Sequence, residues 1–520
     1  MDTRNTLPER FNFARHILDS NRQRAAKPAY IDDSGSMTYG EMDERVRRFA
    51  AGLLQLGLHP EERVMLVMHD TLDMPVAFLG ALFAGVVPVP VNTLLPASDY
   101  AFMLDNCAAR AVVVSAALLP VVKEALAASG RAPQLIVSGA ADNLPSGALP
   151  FSQLLQNAPL ASAANADTHA DQFAFWLYSS GSTGKPKGTV HSHANLYWTA
   201  ALYGQPVLGV REDDVVFSAA KLFFAYGLGN GLTFPLAVGA TVILMAERPT
   251  PAAVYKRLVE KKPTVFCGVP TLYVAMLAAP DLPAREELAL RVCASAGEAL
   301  PREVGEKFQA RFGAPILDGL GSTEMLHIFL SNRLQDVRYG SSGRPVEGYE
   351  LQVRQDDGSP CAVGEVGDLY IKGPSAALLY WNNRDKSRTT FQGEWVKSGD
   401  KYVLDEQGYY IYSGRSDDML KVSGQYVSPI EVESALIAHA AVLESAVIGR
   451  VDSQGLTKTV AYVVLKPGQA ASEALREELR AFVKTRLAPH KTPREIHFAE
   501  ELPKTATGKI QRFKLRALEG

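Results

Sequence analysis

Short β-branched runs alternate along the chain with longer stretches in which apolar residues recur every three or four positions. No other feature constrains the fold as strongly. The runs RVMLVM (Arg63 to Met68), AVVVS (Ala111 to Ser115), QLIVS (Gln134 to Ser138), TVILM (Thr241 to Met245), TVFCGV (Thr264 to Val269) and RVCASA (Arg291 to Ala296) predict buried strands. Thr250 to Lys261 and Pro301 to Phe312 predict helices between them. Strands alternating with helices predict an α/β fold, with parallel sheets covered by helices. Phe78 to Val91 is too short for a membrane span of about 20 residues and carries Pro88 and Pro90, so a buried helix leading into a core strand is expected. Ala116 to Asp171, rich in Ala, Ser, Gly and Pro, predicts loosely packed connections. From Tyr339 onward, short strands separated by Gly-containing turns predict an antiparallel, barrel-like layer. From about Asp417 the mixed pattern returns for long enough to form a small separate domain.

Composition narrows the function. A chain of 520 residues predicts two to four domains at roughly 100–200 residues each. Its 53 basic and 56 acidic residues give −3, with no basic block to track a phosphate backbone, so nucleic-acid binding is disfavoured. The first twenty residues mix charges and lack an apolar leader segment, so the protein is expected to stay in the cytoplasm without a membrane partner. Cys107, Cys267, Cys293 and Cys361 are far apart in sequence and predict buried free thiols, not a disulfide framework or zinc site.

The densest chemical signal is YSSGSTGKPKG, Tyr178 to Gly188. It follows the strand-like FAFWLY and precedes a helix expected near Ser192, which predicts a strand-to-helix turn. Its glycines, hydroxyls and two lysines offer close backbone approach, donors and positive charge to a polyphosphate. It is not a Walker A loop, because Pro186 follows Gly184 and Lys185 where Ser or Thr is required.

This segment resembles the signature loop of the adenylate-forming superfamily, which includes acyl- and aryl-CoA synthetases, peptide-synthetase adenylation domains and luciferases. Four further matches follow in order: ASAGEALP (Ala294 to Pro301), LGSTE (Leu320 to Glu324), KSGD through GRSDDMLKVSGQYVSPIEVE (Lys397 to Glu433), and LPKTATGKIQR (Leu502 to Arg512). The resemblance implies a large multilayer N-terminal domain, 1–416, with two helix-covered sheets and a distorted β-barrel. A small mobile α/β domain, 417–520, would rotate about Asp417. It implies coupling of a carboxylate to ATP with loss of pyrophosphate, then attack on the acyl-adenylate by a thiol, amine or oxygen. Ser182, Thr183 and Lys187 would hold the pyrophosphate, Thr323 the α-phosphate, and Glu324 a magnesium ion. Ala296, Gly297 and Glu298 would line the adenine pocket, with Asp318 in the same nucleotide set. Asp400 would accept from both ribose hydroxyls beside Arg415. Lys509 would be the catalytic cation between carboxylate and α-phosphate, and Ser423, Gly424 and Tyr426 would line the pantetheine tunnel of coenzyme A. One position departs from the family habit: Leu320 stands where an aromatic often packs on adenine, so aliphatic packing is expected there.

Substrate choice is expected to rest on AAKLFFAYGLGNG, Ala219 to Gly231. Phe224 stands where amino-acid-activating members place an aspartate, and an ammonium buried there without an ion pair would cost several kcal/mol. Phe224, Ala225, Tyr226 and Gly227, with Gly319 and Gly321 opposite, predict a short, flat, apolar slot suited to a planar aromatic carboxylate. Together with His327 and Ile328 the segment resembles that of benzoate-CoA ligases. His327 would either bond a ring substituent or pack. The chain ends eleven residues after Lys509, favouring free coenzyme A as acceptor over a fused carrier domain. Substituted benzoates or another small carboxylate, a separate carrier protein as acceptor, and a non-catalytic nucleotide-binding scaffold are the alternatives, with monomer and homodimer both open.

Overall fold

The computed structural model describes residues 7–140, 144–160, 166–179, 186–416, 419–422, 425–451, 457–504 and 510–517. Two parallel sheets form the centre of the large N-terminal part. The first has five strands in the order Val87–Pro90, Arg63–Val67, Ala111–Ser115, Gln134–Ser138 and Leu149–Pro150, every pair parallel. Its central strands are buried on both faces, which is why their sequences run continuously apolar instead of alternating. The second sheet has nine strands. Its parallel centre orders Ile316–Gly321, Val292–Ser295, Val265–Gly268, Val215–Ser218, Thr241–Ile243 and Pro28–Ile31, and antiparallel strands close both edges.

Helix boundaries follow local chemistry. Pro251–Lys261 starts where the Thr250 hydroxyl accepts from Ala253 N, with proline at the first helical position. Arg302–Phe312 follows Pro301 and ends at Gly313 with φ of 75°. Asp73–Phe83 leads into Val87–Pro90, the buried helix and core strand expected there.

An antiparallel layer follows, with Glu350–Arg354, Val366–Lys372, Trp395–Leu404, Phe391–Gln392 and Tyr410–Arg415. A smaller α/β unit closes the described chain. Its sheet joins Val442–Val451, Thr457–Leu465 and Glu495–Phe498, and Pro429–Ile437 and Glu473–Lys484 bury Val432, Leu436, Leu479 and Val483 against it. Among the described residues no helix is long and apolar enough to cross a membrane.

Three expectations are corrected. Ala116 to Asp171 is not loosely packed: it holds the helices Leu119–Ala128 and Phe151–Asn157 as well as the strand Gln134–Ser138, because small residues such as Ala125 fit closely against the sheet. The signature loop is not a strand-to-helix turn, since Phe173–Ser179 pairs antiparallel with Lys187–Ser192 before the helix His193–Thr199 begins. Cys361 is half-buried, whereas the other three cysteines are buried.

Candidate active site

The hairpin sets Lys187 opposite Ser179 at the mouth of the signature loop. Its second strand pairs on the other side with the two-residue strand Leu379–Tyr380. The Lys187 Nζ lies 4.6 Å from the Tyr380 ring centroid, and the Tyr380 hydroxyl donates to Glu324 Oε1 at 2.6 Å. Ala377 N donates to the Glu324 carbonyl at 2.7 Å. Lys187 and Glu324, the acidic residue of the LGSTE run, are far apart in sequence and meet across one tyrosine.

Thr323 is held by its backbone. Its carbonyl accepts from His191 Nε2 at 2.8 Å and from Leu326 N at 3.2 Å. A carbonyl only accepts, so Nε2 carries the hydrogen and Nδ1 accepts from Asn195 Nδ2 at 2.9 Å. Burial pushes the His191 pKa down to about 3, which keeps this tautomer neutral. Leu326 closes the turn with φ of 63°, a left-handed conformation unusual for a side chain of its size.

The residues present fit a magnesium ion that arrives with phosphates. Oε2 of Glu324 has no hydrogen-bond partner among the described residues, and no group of three or more His, Cys, Asp or Glu among them could cage a metal unaided. One hard carboxylate oxygen beside substrate phosphates is the usual arrangement for this ion.

The residues expected at the nucleotide lie on two pairs of neighbouring strands. Ser295 and Asp318 are register partners, which brings Ala296, Gly297 and Glu298 beside Gly319, Leu320 and Gly321. Gly297 has φ of 97°. Asp318 is buried, and burial pushes its carboxyl up to about 8. Asp400 pairs in register with Arg415, whose Nη1 donates to Oδ1 at 3.1 Å. Leu320 is half-buried and packs on the core beneath this sheet.

The proposed slot for the carboxylate substrate is built from tight turns. Phe224 is extended and caps the helix Ala225–Leu228, so Ala219 to Gly231 is not one continuous helix. The Tyr226 carbonyl accepts from Asn230 Nδ2 at 2.9 Å and from His327 Nε2 at 3.2 Å. His327 is buried among Tyr203, Tyr226 and Phe234, with ring centroids at 5.4, 5.6 and 4.5 Å. Its Nε2 donates to a carbonyl, which leaves Nδ1 as an acceptor with no partner. A Cβ on Gly227 would collide with the Lys221 carbonyl, and one on Gly229 with the His327 ring. A Cβ on Gly319 would approach the Leu330 carbonyl to 2.9 Å, and Ile328 stands against the same glycine.

Ser182, Thr183, Asp417, Ser423, Gly424 and Lys509 lie outside the described residues, and of Tyr426 only the backbone, in Gln425–Val427, is described. Three side chains that organise the site carry no motif. His191 and Tyr380 become visible only through strand pairing. Buried Asp70, whose carboxylate accepts from Leu222 N at 3.2 and 3.3 Å, reaches the substrate segment from the other sheet.

Comparison with known proteins identifies the family. Residues 18–381 match the AMP-binding enzyme family, and residues 431–509 match the AMP-binding enzyme C-terminal domain. The chain is 58% identical to the benzoate-CoA ligase of Thauera aromatica over 98% of its own length and 97% of the relative's. A 4-hydroxybenzoate-CoA/benzoate-CoA ligase of Rhodopseudomonas palustris is 46% identical, over 98% and 94%. The crystal structure of a benzoate CoA ligase from Burkholderia xenovorans LB400 is 63% identical, with a TM-score of 0.91 covering 97% of this chain and 100% of that one. An anthranilate CoA ligase in complex with anthranoyl-AMP is 41% identical with a TM-score of 0.93, covering 98% of each chain. With family matches on both sides of the chain and relatives aligned along nearly all of it, this chain belongs to the AMP-binding, adenylate-forming enzymes.

Proposed function

We propose that this chain is an AMP-forming acid-thiol ligase that converts benzoate, ATP and coenzyme A into benzoyl-CoA, AMP and pyrophosphate. The observation that carries the reading is identity of 58% and 63% to two benzoate-CoA ligases along nearly the whole chain. The tight turn around Phe224 to Gly227, packed against a His327 ring buried among Tyr203, Tyr226 and Phe234, supports an aromatic-lined site.

In the first half-reaction a benzoate oxygen attacks the α-phosphorus, the bond to the β,γ-phosphates breaks, and pyrophosphate leaves. Negative charge gathers, and the chain's contribution is to neutralise and align it. Ser182, Thr183 and Lys187 hold the departing pyrophosphate, Thr323 the α-phosphate, and Lys509 the approaching oxygens. Glu324 would hold a magnesium ion arriving with the phosphates, which would supply further charge neutralisation. Asp400 and Arg415 fix the ribose, and Ala296 to Glu298 with Asp318 line the adenine side. In the second half-reaction the coenzyme A thiolate attacks the acyl carbon and AMP leaves. Ser423, Gly424 and Tyr426 line the path of the pantetheine arm. Residues 1–416 and 417–520 form the two domains, and reorientation at Asp417 exchanges Lys509 for the thiol path. The protein works in the cytoplasm as a monomer or homodimer.

Ring-substituted benzoates form a second reading, favoured by the 46% identity to a 4-hydroxybenzoate-CoA/benzoate-CoA ligase. Purified protein supplied with benzoate and ATP should release benzoyl-AMP, and adding coenzyme A should yield benzoyl-CoA by mass spectrometry. Transfer to a carrier protein but not to coenzyme A would overturn the acceptor.

A further inference from the structure

The link between Lys187 and Glu324 runs through a residue outside every motif that suggested the function. Tyr380 is 3% exposed, and its backbone is fixed by pairing with Thr189 and by its N–H donating to Ser387 Oγ at 3.0 Å. Its hydroxyl reaches Glu324 Oε1 at 2.6 Å while its ring face carries the Lys187 ammonium at 4.6 Å. A glutamate with two equivalent oxygens and a free χ3 torsion can ligate a metal through either oxygen or through both. A donor committed to one oxygen leaves the other to the metal and selects the single-oxygen mode that a small octahedral cation prefers.

We propose that Tyr380 is a positioning residue for ATP activation: its hydroxyl holds Glu324 Oε1 so that Oε2 faces the metal carried by ATP, and its ring sets the Lys187 ammonium beside the same phosphates. This rests on the reading of Lys187 and Glu324 as the phosphate and metal ligands. The two contacts serve different ligands, and conservative substitutions separate them. Tyr380→Phe keeps the ring under Lys187 and deletes the donor. Tyr380→Leu deletes both.

The test is ATP binding by the full chain, measured with Mn²⁺ by electron paramagnetic resonance and without metal by calorimetry. Tyr380→Phe should weaken binding of Mn²⁺·ATP by about 10–100-fold, the usual loss when a partner of a metal ligand is removed. Metal-free ATP binding should stay at the wild-type level, as should thioester formation from supplied benzoyl-AMP. Tyr380→Leu should weaken ATP binding with and without metal. Wild-type Mn²⁺·ATP affinity in Tyr380→Phe, or an equal loss with and without metal, would overturn the proposal. If instead the wild-type protein releases no pyrophosphate with any aromatic carboxylate, the functional reading fails, and the metal-binding comparison still decides the role of Tyr380.

Discussion

His191, His193 and His327 are all buried, and burial alone is enough to push each imidazole down to about 3. They are therefore fixed, neutral hydrogen-bonding groups, and none is a proton carrier near neutral pH. Two carboxyls move the opposite way: Asp70 rises to about 6 and Asp318 to about 8, again through burial. For Asp318 the folded protein keeps a proton that the unfolded chain releases above about pH 4, so its contribution to stability falls as pH rises from about 4 to about 8. Replacing it with asparagine removes this term. Denaturation of the nucleotide-free protein at pH 5 and pH 7.5 should show wild type losing stability relative to Asp318→Asn as pH rises, by at most about 1.4 kcal/mol per pH unit. A difference that stays constant between the two pH values would mean that Asp318 is ionised in the fold.

At the scale of elements, the segment Ala219 to Gly231, proposed to contact the carboxylate substrate, is tightly constrained. Gly227 tucks under the Lys221 carbonyl, a backbone atom that cannot swing aside. Gly227→Ala should cost about 1–3 kcal/mol of stability by overpacking and raise KM for benzoate more than KM for ATP. Thermal melts and steady-state kinetics check both effects. Most elements were legible in advance where burial on both faces writes itself as a continuous β-branched run. Ala111–Ser115 and Gln134–Ser138 coincide with their sequence runs, and the helix Pro251–Lys261 with its capping threonine. Elements without such a pattern were not legible. Leu119–Ala128 is an alanine-containing helix whose composition resembles that of a loop. Lys187–Ser192 is a strand with little apolar character of its own, so the signature loop looked as though it led straight into a helix. Leu379–Tyr380 is too short to announce itself, and Tyr380, which joins two motifs, was hidden with it. Motif residues were legible because their chemistry is concentrated in short runs; His191 and Tyr380 are placed by pairing across strands, which spacing in one strand cannot show.

Across the whole molecule the chemistry is divided. On the proposed function, the large part would gather carboxylate, adenine and phosphate contacts at strand ends and along the hairpin, and the small part would contribute Lys509. The division predicts that the half-reactions can be separated by mutation. Lys509→Ala should abolish formation of benzoyl-AMP from benzoate and ATP while sparing conversion of supplied benzoyl-AMP to benzoyl-CoA, each followed in single-turnover assays. Equal loss of both would remove the role assigned to that lysine. On the proposed function, Phe224, Tyr226 and His327 line a slot that selects a planar aromatic acid for activation by ATP. Pyrophosphate release by the wild-type enzyme across a panel of carboxylates, with coenzyme A present and absent, tests it most directly. Fast release with benzoate, dependence of sustained turnover on coenzyme A, and little release with long-chain fatty acids are expected. Strong turnover with long-chain fatty acids and none with benzoate would contradict it.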